Sequence, residues 1–209
     1  VKYYPAFLDL RGRRSVVIGG GTVAERKVLT LVRAHADVTV VSPLLTKRLL
    51  REKEKGRIRH IGRTYRKGDL KGAFLVIAAT GSSETNARVA EDAPALVNVV
   101  DVPFLCNFIA PSLVERGDLV IAISTGGASP AFAKTLRKEI EKTYGNEIAT
   151  YLSFLGSVRK TAMAAVKDKK KRERFLKGLA ADRMLSALRS RGVEEMREQV
   201  RKRLDTLRS

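Results

Sequence analysis

The chain has 209 residues, 44% of them hydrophobic, which is enough for one substantial core with a smaller unit beside it and too apolar for general disorder. A single cysteine, Cys106, excludes an internal disulfide framework, and no run approaches the roughly 18 apolar residues of a membrane span. The formal net charge of +19 implies polyanionic partners or a basic surface kept for solubility; residues 1–155 carry 24 Lys+Arg against 15 Asp+Glu and residues 156–209 carry 17 against 7, so the last quarter of the chain holds half of the excess.

The opening "VKYYPAFLDLRGRR" places its charges after its short apolar stretch, unlike a secretory leader, so a reducing cytosol is the expected compartment. "SVVIG" (15–19), "DVTVV" (37–41), "FLVIAA" (74–79) and "LVNVV" (96–100) are dense, β-branched runs of the kind that strands buried on both faces require. Between them, Val23 to Ala34 has apolar residues at 23, 24, 28, 29, 31 and 32, and "SETNARVAEDA" (83–93) has a serine at its predicted N-cap. "RIRHI" (57–61) adds a candidate edge strand. A βαβ series of this kind predicts an α/β, Rossmann-type parallel sheet over residues 1–112.

After Pro111 the pattern changes. "DLVIAIST" (118–125) reads as one more strand, followed by a helix over 130–144 with Ser129 and Pro130 as N-cap and first-turn residues and Gly145 as C-cap. Residues 113–145 therefore read as a small α+β region and 146–209 as helices, with breaks near Gly156, Gly178 and Gly192. The run "KDKKKRER" (167–174) reads as an exposed helical face or loop.

"VVIGGGTVAERK" carries the first chemistry. Gly19, Gly21 and Ala24 form G-x-G-x-x-A between a strand and a helix, where glycines permit a tight turn and close backbone approach to a pyrophosphate, and the helix N-terminus favours its charge. The acidic residue that ordinarily takes the ribose hydroxyls of NAD about 20 positions on is missing; the second strand ends at Ser42 and Pro43, with Lys47 and Arg48 close by, which leaves NAD and NADP both open on the residues alone. Loops at the carboxyl ends of the strands converge in such a sheet: Gly19, Thr22 and Val23; Ser42, Pro43 and Leu44; Thr80 and Gly81; and Asp101. Asp101, the lone carboxylate of "VNVVDVPFLCNFIAPS", thus falls on the expected ligand rim, with a helix N-cap or turn former before Pro103 as the alternative. His35 and His60 read as structural or surface residues, and no metal-ligand set is visible. No nucleic-acid module appears either, so a nucleic-acid partner is not expected.

The segments "FLDLRGRRSVVIGGGTVAERKV", "VTVVSP", "LVIAAT", "VNVVDVPFLCNFIAPS" and "GDLVIAISTGGASPAFAKTLRKEIE" resemble, in that order and spacing, the precorrin-2 dehydrogenases of the sirohaem synthase family over residues 3–145. The resemblance implies NAD-dependent oxidation of precorrin-2 to sirohydrochlorin in the cytosol, with ferrous iron insertion in some members, and a homodimer in which "STGG-x-SP" belongs to the dimerisation region. It implies Asp101 as the general acid/base and Thr22, Val23, Pro43 and Leu44 as NAD contacts, with Ser42 in keeping with the absent ribose acid. Gly81 and Thr125 depart from the family's more usual acidic residue and serine. Precorrin-2 is a polycarboxylate, which gives the positive charge a use without nucleic acid. On this reading Ser124, Thr125, Gly126 and Ser129, at the start of the 130–144 helix, are candidates to hold one substrate carboxylate, with a plain helix cap as the alternative. Two other classes stay open on the residues: a non-catalytic NAD-sensing domain and a basic nucleic-acid-binding protein.

Overall fold

A computed structural model describes residues 3–208. Contacts divide the chain into two compact units, one ending at Ala110 and the other beginning at Pro111.

The first unit is built on five parallel strands, β1 (Arg14–Ile18), β2 (Asp37–Val41), β3 (Ile58–Ile61), β4 (Leu75–Ala78) and β5 (Leu96–Val99), in the order β3-β2-β1-β4-β5. Helices α1 (Thr22–Arg33), α2 (Lys47–Glu54) and α3 (Ser83–Asp92) connect them, which is the doubly wound arrangement expected from the apolar runs. Alternation along each strand explains why those runs are continuous. Val17, Val38, Val40, Leu75 and Ile77 pack with Ala24, Val28 and Leu31 of α1 in one core. Val16, Ile18, Val41, Val76, Ala78, Val97 and Val99 pack with Val89 of α3 in another. The polar residues buried in these strands are hydrogen-bonded: Ser15 donates to the Arg13 carbonyl, Thr39 accepts from Arg59, and Asn98 donates to the Phe108 carbonyl.

α1 ends where His35 adopts φ 56°, with the N–H of Ala36 donating to the Leu31 carbonyl at 3.0 Å and that of His35 to the Val32 carbonyl at 3.0 Å. This left-handed turn is the usual way to close a helix C-terminus, and it usually employs glycine. The predicted edge strand is β3, and the predicted helix at 23–34 begins one residue early, at Thr22. α2 was not predicted: "KRLLREKE" buries only Leu49 and Glu52, too few apolar positions for a periodicity to be read.

The second unit starts with an antiparallel hairpin, β6 (Ser112–Arg116) and β7 (Leu119–Ile123), turned by Gly117 at φ 59° and Asp118. Four helices follow: α4 (Pro130–Thr143), α5 (Asn146–Ala165), α6 (Lys169–Gly178) and α7 (Asp182–Arg208). β6 corrects the reading of a single strand in this region. Gly156 does not break a helix; it lies inside α5, where a lone glycine costs about 1 kcal/mol against alanine and the packing of the helix outweighs it. Gly145 is not the C-cap of α4, a role taken by Tyr144, but the N-cap of α5. Gly178 does end α6, and Gly192, at φ 80°, bends α7. The lysine-rich run is helical from Lys169, capped by Asp168. The core of this unit joins Tyr151, Phe154, Val158 and Ala162 of α5, Phe175 of α6 and Leu188, Met196 and Val200 of α7. No helix among the described residues is long and apolar enough to cross a membrane.

Candidate functional site

The strand order reverses between β1 and β4, and a cleft of about 550 Å³ opens at the carboxyl ends of β1, β2 and β4. Of the residues singled out from the sequence, Gly19, Gly21, Ser42, Pro43, Leu44 and Thr80 line it, as does Gly81. Thr22 and Val23 open α1 at its edge.

Each of the three glycines has a different local reason. Gly19 sits at φ 119°, and a Cβ on it would run into the carbonyl of Ala79. A Cβ on Gly20 would strike the Leu44 carbonyl. Gly21 is the N-cap of α1 in an extended conformation, and a Cβ there meets nothing within 4 Å. Its cap is bare. Thr46, Ser82, Ser129 and Asp168 each accept a first-turn N–H at their own helix, whereas α1, like α5 behind Gly145, has no side-chain cap. α1 thus meets the cleft at its N-cap Gly21, with the hydrogen-bonding capacity and partial positive charge of its first turn not taken by a capping side chain.

The walls are held by side chains. Thr46 donates its hydroxyl to Glu25 of α1 and its N–H to the Gly20 carbonyl at 3.1 Å, tying the glycine loop to the start of α2. Nε2 of His60 lies 2.8 Å from the Ser42 carbonyl, and Ser42 donates its N–H to Ile61 at 3.1 Å, so the end of β2 is fixed from β3. Asn86 grips Thr80 of the opposite wall through three hydrogen bonds. Tyr65, on the cleft wall, donates its hydroxyl to Asp92 at 2.8 Å; burial, and then this bond, push the phenol above its usual value, so it stays protonated. The loop carrying Thr64 and Tyr65 is closed by a two-pronged pair between Arg63 and Asp69, at 2.7 and 2.6 Å. That guanidinium is the main cause of the lowered pKa of Asp69. Leu44 is 80% exposed and offers the cleft an apolar wall, and none of the residues lining the cleft is charged. Lys47 and Arg48 lie in the first turn of α2, exposed, and are not part of the lining.

Asp101 lies two residues past β5, at the same end of the sheet, but does not line the cleft. It occupies a turn closed by the Val102 N–H on the Val99 carbonyl at 3.3 Å, with φ 60°, a left-handed conformation that aspartate tolerates better than most residues. Its carboxylate is exposed and takes no hydrogen bond from the described residues. The segment after it folds back on β5 through side chains: Asn107 Oδ1 accepts the Val97 N–H at 2.8 Å, and Cys106 Sγ accepts the Val99 N–H at 3.1 Å. Lys27, half-buried on α1, feels both Cys106 and Asp101; burial, reinforced by Arg26, pushes its ammonium pKa down, and those two groups oppose the shift. Neither Lys27 nor Asn86 was legible beforehand, because a lysine and an asparagine on helices carry no motif.

In the second unit, Ser124, Thr125, Gly126 and Ser129 form the entry to α4. Ser129 Oγ caps the helix by accepting the Phe132 N–H at 3.1 Å, Thr125 Oγ1 accepts the Ser129 N–H at 3.2 Å, and Ser124 Oγ accepts the Gly126 N–H at 3.1 Å. Gly126 and Gly127 are left-handed, at φ 63° and 91°. Among the described residues, no cluster of three or more His, Cys, Asp or Glu could hold a metal ion.

Residues 6–112 match the profile of the putative NAD(P)-binding family, and residues 116–143 that of the central part of sirohaem biosynthesis proteins. The siroheme synthase of Methylobacillus flagellatus is 41% identical over 87% of this chain, and that of Thioalkalivibrio sulfidiphilus 37% identical over 98%. The chain spans 40% and 42% of the lengths of these two relatives. Among solved structures, SirC, a precorrin-2 dehydrogenase, superposes with a TM-score of 0.82 at 28% identity, covering 96% of this chain and all of that one. By the glycine turn, the strand order and the profile that spans the first unit, the chain belongs to the putative NAD(P)-binding family, in the branch that carries the sirohaem-biosynthesis segment directly behind it.

Proposed function

We propose that the chain is an NAD-dependent precorrin-2 dehydrogenase, producing sirohydrochlorin in sirohaem biosynthesis. The observation that carries this reading is the cleft at the switch between β1 and β4, with its bare α1 N-terminus, in a chain that superposes over nearly its whole length on a precorrin-2 dehydrogenase.

The residues present fit a dinucleotide. The uncapped first turn of α1 and the open space at Gly21 suit a pyrophosphate, and the glycines at 19 and 20 let the backbone come close. Leu44 supplies an apolar surface for an adenine ring, and Ser42 supplies a hydroxyl near the ribose. The lack of charge among the lining residues favours NAD, since the extra phosphate of NADP calls for a cation. When bound, NAD supplies a hydride acceptor. Precorrin-2 must also give up a proton as it gives up the hydride, and Asp101, an exposed carboxylate free of other hydrogen bonds, is the group we assign to take it. Ser124, Thr125 and Ser129, whose hydroxyls accept backbone N–H groups and keep their hydrogens to donate, would steady one substrate carboxylate at the turn that Gly126 allows. The exposed apolar residues Val120 and Phe132 support a homodimer through the second unit, and the cytoplasm is the compartment this chemistry suits. Ferrous iron would enter as a second substrate.

An anaerobic assay with precorrin-2 and NAD, followed spectrally and then challenged with ferrous ion, tests the proposal. Formation of sirohydrochlorin with stoichiometric NADH is expected. A protein that binds NAD yet leaves precorrin-2 unchanged would overturn it.

A further inference from the structure

α6 and α7 enclose a groove of about 520 Å³ that lies wholly within the second unit. Lys171, Arg174 and Arg203 stand on its rim, and Phe175, Gly178 and Leu207 provide an apolar floor; no carboxylate lines it. Lys171 and Arg174 are three apart on α6 and so share one face. Among the described residues none of the three cations forms an ion pair. The carboxylate that senses Lys171 and Arg174 is Asp168, already engaged in capping α6 through the Lys171 N–H at 3.0 Å.

We propose that this groove is a binding site for a polycarboxylate tetrapyrrole, a second station for the substrate or product of the reaction assigned above, and it rests on that assignment. The ligand class follows from the combination of features. Three converging cations exceed what a single carboxylate needs, and an apolar floor is wasted on bare phosphate. A nucleic-acid strand stacks successive bases on several aromatic faces, whereas Phe175 is the one aromatic residue lining this groove. A macrocycle with carboxylates around an apolar ring satisfies both rim and floor. The groove also gives part of the excess charge of the last quarter of the chain a definite use.

The test is a fluorescence-quenching titration of the full chain with uroporphyrin I, a stable octacarboxylate porphyrin, with precorrin-2 turnover measured in parallel. Two proteins are compared with the wild type. One carries Lys171→Ala, Arg174→Ala and Arg203→Ala, all exposed positions whose truncation leaves the core intact. The other carries Gly178→Asp, which puts a carboxylate into the groove at a position where a Cβ meets nothing within 4 Å. Both are expected to lose one equivalent of porphyrin per chain, or to weaken that binding phase by about tenfold or more, with NAD affinity unchanged. Unaltered stoichiometry and affinity in both would overturn the proposal. Stoichiometric displacement of the groove-bound porphyrin by polyuridylate would overturn the ligand class in favour of nucleic acid. Absence of turnover in the wild type would sink the dehydrogenase assignment, while the titration would still report on the groove.

Discussion

Asn86 closes on both ends of Thr80: its side-chain oxygen accepts the Thr80 N–H at 3.2 Å and hydroxyl at 2.7 Å, and its nitrogen donates to the Thr80 carbonyl at 3.1 Å. One helical side chain thereby fixes the backbone at the mouth of β4, where the cleft needs a rigid wall. Asn86→Ala would leave the half-buried Thr80 N–H and carbonyl without their partner, at a cost of about 0.5–1.5 kcal/mol, and let the wall move. Urea unfolding should show that loss, and calorimetry should show weaker NAD binding. Equal midpoints and affinities would mean the clamp is redundant.

Gly21→Asp separates binding from folding. An aspartate at this N-cap meets no protein atom and would itself cap α1, so thermal stability should hold or rise. The same carboxylate would occupy the N–H groups that we assign to a pyrophosphate. Forfeiting charge-assisted hydrogen bonds of about 1.5–3 kcal/mol predicts NAD binding weaker by about 10- to 100-fold, before repulsion is added. Gly19→Ala, by contrast, should destabilise the fold, because its Cβ collides with Ala79 and its φ of 119° is foreign to alanine. NAD affinity unchanged in a folded Gly21→Asp protein would remove the cofactor from this loop.

Two substitutions at Asp101 distinguish a base from a turn former. Asp101→Asn and Asp101→Gly both suit φ 60°, so both proteins should fold. Both lack a proton acceptor, so each should lose about 10²–10⁴ in kcat with NAD binding nearly intact. Wild-type turnover in the glycine variant would leave the residue only its turn.

The strands of the first unit were legible because a parallel sheet covered on both faces demands unbroken β-branched runs, and "SVVIG" or "DVTVV" can hardly be anything else. The hairpin was half-legible: β7 is apolar throughout, whereas "SLVER" alternates over too few residues to be recognised without its partner. The glycine turn, Ser42 and Thr80 could be placed at the cleft from strand ends alone. Asn86, Tyr65 and Thr46 could not, since their roles arise only when distant loops meet. Asp101 illustrates the intermediate case. Its position at a strand end was predictable, but its left-handed backbone and its place outside the cleft lining depend on how residues 102–108 fold back.

At the C-terminus of α1, His35 holds a conformation that costs a side chain roughly 1 kcal/mol. His35→Gly should therefore raise stability by about 0.5–1 kcal/mol, read as a higher unfolding midpoint, with NAD binding unaltered. A lower midpoint would show that the imidazole contributes contacts beyond the turn.

The Arg63–Asp69 pair predicts an acid limb. Asp69 is depressed in the folded chain, chiefly by its hydrogen bonds to Arg63, so its contribution is fully present above the ordinary carboxylate pKa near 3.8 and is lost as pH falls through the lowered folded value. Arg63→Leu should destabilise the protein at neutral pH and flatten its stability loss below about pH 4. Parallel pH–stability curves for the two proteins would exclude Asp69 from the acid transition. Because the pair closes the loop bearing Thr64 and Tyr65, NAD affinity should fall with it.

β5 ends the sheet, and a bare sheet edge is a template on which a second chain can polymerise. Its outward N–H groups at Val97 and Val99 are already occupied, by an amide oxygen of Asn107 and the sulfur of Cys106. The occupants are side chains on an irregular segment and offer no fresh row of backbone groups to a newcomer. The fold-back after Asp101 thus terminates the sheet as well as shaping the turn, and it does so with the chain's only thiol. Oxidation or alkylation of Cys106 would strip one of these guards from the edge, so thiol damage to this protein should first be seen as self-association into β-rich aggregates.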